Sequence, residues 1–183
     1  MNILQKQQGV ALVVSLIILV SLTMLGMTAI QRTTTDLSIA GNQRETGLMF
    51  QSAEVGLVSA ENYLHDLTTN ADFDGRNGMI EVKPTSTTYR SPDYFDDTAW
   101  AAGNSTEAPT SLVSVFGIKE EPRYMIEYLG EQSQNPLAST NIHGYDPGAT
   151  GDVVSVYRST ARGTGLTGNT YRYVQSYFGR EFD

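Results

Sequence analysis

No cysteine occurs among the 183 residues, and that absence removes disulfide staples, thiolate zinc sites, iron–sulfur ligation and cysteine nucleophiles together. Histidine is almost as scarce. His65 and His143 alone give a multi-histidine metal centre, or a pair of imidazole acid–base groups, little to build on. Basic residues are few: 12 Lys and Arg face 20 Asp and Glu, a formal charge of −8, which argues against a general attraction to nucleic acid backbones. Proline does not occur before Pro84, so nothing breaks a helix over the first third of the chain. The length suits one modest globular unit rather than two large lobes.

What the chain has instead is an uncharged apolar run. From Val10 to Ile30 it reads VALVVSLIILVSLTMLGMTAI, 21 residues and about 31 Å of helix, enough to cross a bilayer. Twelve of them are Val, Leu or Ile, which together contribute on the order of −4 to −7 kcal/mol toward insertion. Ser15, Ser21, Thr23 and Thr28 weaken this little, because a helix hydroxyl bonds back to its own carbonyls. The run is too long for an ordinary secretory signal, and a polar leader, MNILQKQQG (residues 1–9), precedes it with one cation at Lys6 and Gly9 directly before Val10. Any cut therefore falls ahead of the membrane helix. Lys6 and the amino terminus against Arg32 with Asp36 give a slight bias to a cytoplasmic N-terminus. A plain signal anchor, with Gly9 incidental, is the competing reading.

Beyond Ile30 the helix is expected to continue through residues 31–67 and to turn amphipathic. Phe50, Ala53, Leu57, Ala60, Leu64 and Leu67 step by three and four, a narrow stripe that needs a partner surface and marks where the helix packs on a head. Gly41, Gly47 and Gly56 each weaken the helix by about 1 kcal/mol relative to alanine, so packing has to supply stability there. Glu45, Glu54, Glu61 and Asp66 lie mostly off the stripe and read as a solvated face.

Residues 68–183 form the head, where turn-forming clusters separate short β-like runs, giving an α+β class overall. Residues 70–120 read as largely irregular, with YFDDTAW (94–100) an aromatic island. RYMIEYL (123–129) alternates Tyr124, Ile126 and Tyr128 against Arg123, Met125 and Glu127, a strand with one buried face. DVVSVYRSTARG (152–163) and TYRYVQSYFG (170–179) should pair as an antiparallel hairpin.

Two motifs invite chemistry. GTGLTG, with Gly163, Gly165 and Gly168, matches the dinucleotide fingerprint, but the strand-like TYRYVQSYF follows where a helix must. NADFDGRNGMIE fits calcium-loop spacing with Asn70, Asp72, Asp74 and Glu81 as ligands and Gly75 at the turn. Asn77 stands at the apolar anchor position and Pro84 blocks the exit helix, so a polar turn is the simpler reading and no metal is assigned. His65 reads as a helix-end residue and His143 as a loop residue. No catalytic constellation or cofactor motif emerges, so the chain is not read as an enzyme.

The leader and helix, QQGVALVVSLIILVSLTMLG, resemble the class III signal region of type IV pilins and pseudopilins. AGNQRETGLMFQSAEVGLVSAENYL (40–64) resembles the N-terminal region of PilX-type minor pilins, and YRSTARGTGLTGNTYRYVQSYFG (157–179) is similar to that family's closing hairpin. The resemblance implies a pilin fold, a long transmembrane-plus-amphipathic helix packed on an antiparallel β-sheet head. It implies cleavage between Gly9 and Val10 by prepilin peptidase and methylation of the new amino terminus. It further implies an inner-membrane, single-pass protein with a periplasmic head that later enters the pilus. There it would act with other minor pilins and the tip adhesin in priming assembly and twitching motility. Two departures stand out: the processed chain would begin with Val10 where pilins usually have Phe, and its fifth residue is Val14 where most have Glu. A tip pseudopilin of a type II secretion system shares the missing glutamate but usually carries a larger head. A membrane-anchored binding domain is the remaining alternative.

Overall fold

The computed structural model describes residues 4–69, 73–82, 91–133 and 153–181. Helix α1 (Leu4–Asp66) is followed by β1 (Met79–Glu81), a 3₁₀ turn at Asp97–Trp100, β2 (Thr106–Glu107), α2 (Leu112–Phe116), β3 (Arg123–Ser133), β4 (Val153–Thr164) and β5 (Tyr171–Arg180). The chain divides into two units, residues 1–44 and 45–183.

In the first unit the described residues are helical throughout. Its hydroxyls close on the helix itself: Ser15 donates to the Leu12 carbonyl at 2.9 Å, Ser21 to Ile17 at 2.8 Å and Thr28 to Met24 at 2.8 Å. A polar side chain bonded this way leaves an apolar exterior. Every large apolar side chain from Val10 to Ile30 is open, from 44% exposed at Val20 to 69% at Leu12. With a mean hydropathy of 2.7 in its most apolar window, the helix is long and apolar enough to cross a membrane.

In the second unit, the sheet runs β1-β3-β4-β5, with β2 also on β3. β3, β4 and β5 are antiparallel neighbours, and the expected hairpin is present as β4 and β5, paired from Ser155↔Arg180 to Thr164↔Tyr171. β1 lies parallel to β3, so the sheet is mixed rather than wholly antiparallel. β3 shifts register between Tyr128 and Gly130, where glycine takes a φ of 105° that a side chain would resist. One side of the sheet meets α1. Leu57, Ala60 and Leu64, with Leu67 just past the helix end, pack on Tyr124, Ile126, Tyr157 and Ala161, while Phe73, Met79 and Ala108 close the margin. Phe73, Tyr128 and Tyr157 form a three-ring cluster with centroids 5.4 to 5.9 Å apart. Arg180 donates to the Leu64 and His65 carbonyls, satisfying acceptors that a helix end leaves free.

β3 departs from the expected one-sided strand. Met125 and Glu127 are as buried as Tyr124 and Ile126. The reason is the aromatic island, which is ordered: Asp96 caps the 3₁₀ turn by accepting from the Thr98 N–H, and Tyr94 and Trp100 form part of a second layer over the far side of the sheet.

Candidate functional site

Gly9, Val10 and Val14 all lie within α1 and are exposed, Val10 by 65%. A side chain at Gly9 would meet nothing within 4 Å, so no packing in the described chain demands glycine there.

Of the stripe expected to seat the helix on the head, Ala53, Leu57, Ala60, Leu64 and Leu67 are buried. Phe50 is not: it stands 49% exposed, and Met49 is the buried residue at that level. The apolar line therefore enters the head through Met49 and Ala53. The seat depends as much on missing side chains as on apolar ones. A Cβ at Gly163 would lie 2.3 Å from the Ala53 nitrogen and 2.4 Å from the Met49 oxygen, so β4 runs directly against the helix backbone. A Cβ at Gly56 would press on the Cβ atoms of Ala161 and Pro122, each at 3.2 Å.

This explains GTGLTG. Gly163 lets the strand touch the helix, Gly165 faces the Glu45 carboxylate, which a Cβ would displace from its seat, and Gly168 has a φ of 69°. Glu45, expected in a solvated face, accepts from the Leu166 and Thr167 N–H groups at 3.0 Å each and from the Thr167 hydroxyl at 2.7 Å. The Thr167 N–H chiefly, with its hydroxyl and the Leu166 N–H, holds the Glu45 carboxyl below the usual carboxylate range against a smaller opposing effect of burial. The loop that resembles a phosphate cradle is filled by the protein's own anion. Glu61, also placed off the stripe, accepts from Ser176 Oγ at 3.0 Å.

On the opposite side of the sheet lies a polar cluster that sequence reasoning missed. Glu127 is fully buried and opposite Arg158 in the ladder; the guanidinium donates at 2.7 Å from Nε and 2.9 Å from a terminal nitrogen. Tyr94 donates its phenol to the same carboxylate, and Arg158 reaches Ser91 Oγ at 2.6 Å. Burial first, and the bond to Glu127 second, push the Tyr94 phenol well above its ordinary range; the bonds to Glu127 keep Arg158 charged. Arg162 is clamped beside them, its guanidinium 4.1 Å from the Tyr171 ring centre and 5.2 Å from that of Trp100, with Asp97 at 3.0 Å. The sequence carried no signal for it, because the alternation of β3 assigned Glu127 to the open face, where a carboxylate needs no partner.

The calcium-loop match does not form one site on the described residues. Asn70 and Asp72 lie outside them, Asp74 accepts from the Arg76 N–H at 3.0 Å, and Glu81 ends strand β1 where an exit helix would begin. His65 is in the last turn of α1 and exposed, and His143 lies outside the described residues.

An exposed apolar helix of membrane-spanning length, together with a head whose sheet carries a second helical segment by backbone-close contact, defines a pilin-type α+β fold. Comparison with family models agrees: the model described as type IV pilus assembly protein PilX C-term matches residues 59–180, and the model described as PilX N-terminal matches residues 8–58. The chain belongs to the PilX family of type IV pilus assembly proteins. No curated protein and no solved structure matches it.

Proposed function

We propose that this chain is a minor pilin that takes part in priming type IV pilus assembly and sits at or near the pilus tip, in a complex with other minor pilins and the tip adhesin. In this reading residues 1–9 are a leader removed by prepilin peptidase after Gly9. Val10 becomes the methylated amino terminus, residues 10–30 anchor the chain in the inner membrane, and residues 31–67 join the anchor to a periplasmic head, 68–183. The anchor later leaves lipid for the fibre. Family membership supports the machine, a structural pilin-type component working with other pilus assembly components, and a membrane-anchored helix suits it.

The observation that carries the tip placement is Val14. A carboxylate at the fifth mature position is tolerable in a packed fibre when an adjacent amino terminus pairs with it, and costly when nothing does. Valine has no such requirement, which suits a subunit with no subunit above it. The test has two parts. The chain's mass with and without prepilin peptidase should differ by residues 1–9 less one methyl, and Gly9→Ala should leave it uncut and reduce piliation. In cryo-EM or cross-linking of sheared pili it should localise to one end; distribution along the shaft at major-subunit abundance would refute the placement.

A further inference from the structure

The sheet ends on a long strand with an open side. We propose that β5 takes up an extended strand from a different polypeptide, one with a carboxylate opposite Arg172 and apolar side chains opposite Val174 and Phe178. Among the described residues β5 pairs with β4 alone, and none of its main-chain groups bonds to backbone elsewhere. Half the N–H and C=O groups of an antiparallel edge strand point outward, a template for another strand. Natural edges are normally blunted by shortness, proline, lysine or a bulge. β1 and β2 are blunted by lengths of 3 and 2 residues, whereas β5 has 10, no proline or lysine, and no register shift against β4.

Burial tells the same story. Not one residue of β5 is buried, while β4 beside it is closed from Ser159 to Thr164. Val174 and Phe178 lean on the core yet keep an open flank, and on the other face Tyr177 is 64% exposed. An added strand with apolar residues at the matching positions would complete the burial of Val174 and Phe178.

Charge selects the occupant. Successive side chains alternate, so Arg172 and Arg180 share the α1 side of β5 with Val174 and Phe178. Arg172 is exposed and has no ion pair among the described residues. Arg180 is held by the Leu64 and His65 carbonyls and Glu61 meets the same face at Ser176, so Arg172 is the cation this edge offers. A second copy fits poorly: two β5 strands paired antiparallel along their whole length would bring each Arg172 opposite or diagonal to the other's Arg180, and like charges across strands destabilise. An acidic foreign strand meets no such conflict.

The test uses the full chain in detergent micelles and a labelled peptide, Asp-Thr-Val-Thr-Ser-Thr-Val-Thr-Asp, whose palindromic pattern suits either strand direction. Saturable binding is expected, with hydrogen exchange slowed at the amides of 171–180 and unchanged elsewhere. Arg172→Glu, which breaks no hydrogen bond or ion pair among the described residues, should weaken binding about fivefold or more, and lysine in place of both aspartates should restore preference for that variant. Absence of binding, protection away from β5, indifference to Arg172→Glu, or protection of β5 by self-association would each overturn the proposal. None of these outcomes depends on leader processing or on the place in a pilus, so it stands or falls apart from that reading.

Discussion

Over β3 and β4 the two faces of the sheet are both covered, by opposite means. On the α1 side the contact is made by what is missing: Gly163 against the Ala53 and Met49 backbone, Gly56 against Ala161 and Pro122, alanines at 53, 60 and 161. On the far side it is made by large charged and aromatic groups, with buried Glu127 paired to partly buried Arg158 and Arg162 between Tyr171 and Trp100. A helix backbone pressed to a strand gains dispersion along its length but tolerates no added atom. A buried ion pair tolerates no lost charge. The faces should therefore fail in different ways, and Trp100, the single tryptophan and itself buried, reports unfolding of either.

The largest effect is expected on the helix face. Gly163→Val places a branched side chain where even a Cβ overlaps backbone, which no rotamer relieves, and should cost more than about 4 kcal/mol. Urea unfolding of the full chain in detergent, followed by Trp100 fluorescence, measures it; a loss under about 1 kcal/mol would mean the helix is not seated as described. On the far face Glu127→Gln leaves Arg158 without its countercharge and should cost about 3 kcal/mol. The paired change Glu127→Leu with Arg158→Met should recover most of that, because buried pairs replaced together by apolar groups are often neutral. If the double variant is no better than the single one, the face relies on charge rather than on packing.

These two faces were unequally legible in the sequence. The helix face announces itself by spacing, since Ala53, Leu57, Ala60, Leu64 and Leu67 recur at helical period. Phe50 shows the limit of that signal: period gives a direction on the helix, whereas burial depends on how far the sheet extends, and at that level Met49 is the side chain covered. The far face was illegible because its cover, Tyr94 to Trp100, is irregular and has no period to read. GTGLTG misled for a related reason, as glycine marks any close approach of backbone, and a carboxylate on a distant helix fills a loop as readily as a phosphate does.

Glu45 tests that last point at smaller scale. Glu45→Gln keeps the shape and loses the charge that draws two N–H groups and a hydroxyl, and should cost about 1–2 kcal/mol. Its pH dependence has a fixed sign. The folded carboxyl titrates below an unfolded one, so its contribution is complete above the ordinary glutamate pKa of about 4.3 and is lost as pH falls through the lower, folded value. The wild type should therefore lose stability relative to Glu45→Gln as pH falls below about 4.3. Parallel curves would show that the loop amides do not hold the anion.

The smallest effect is also the cleanest contrast, because it compares the same substitution one face apart on the same helix. Gly47→Ala meets nothing within 4 Å and should stabilise by about 0.5–1 kcal/mol through helix propensity alone. Gly56→Ala gains the same propensity but drives a methyl to 3.2 Å from Ala161 and Pro122, neither of which has a flexible end to move aside. Its net effect should be destabilising by about 1 kcal/mol. Opposite signs at 47 and 56 would show that closeness to the sheet, rather than the helix itself, is what requires glycine at 56; stabilisation at both would mean that the sheet can retreat by the few tenths of an ångström required.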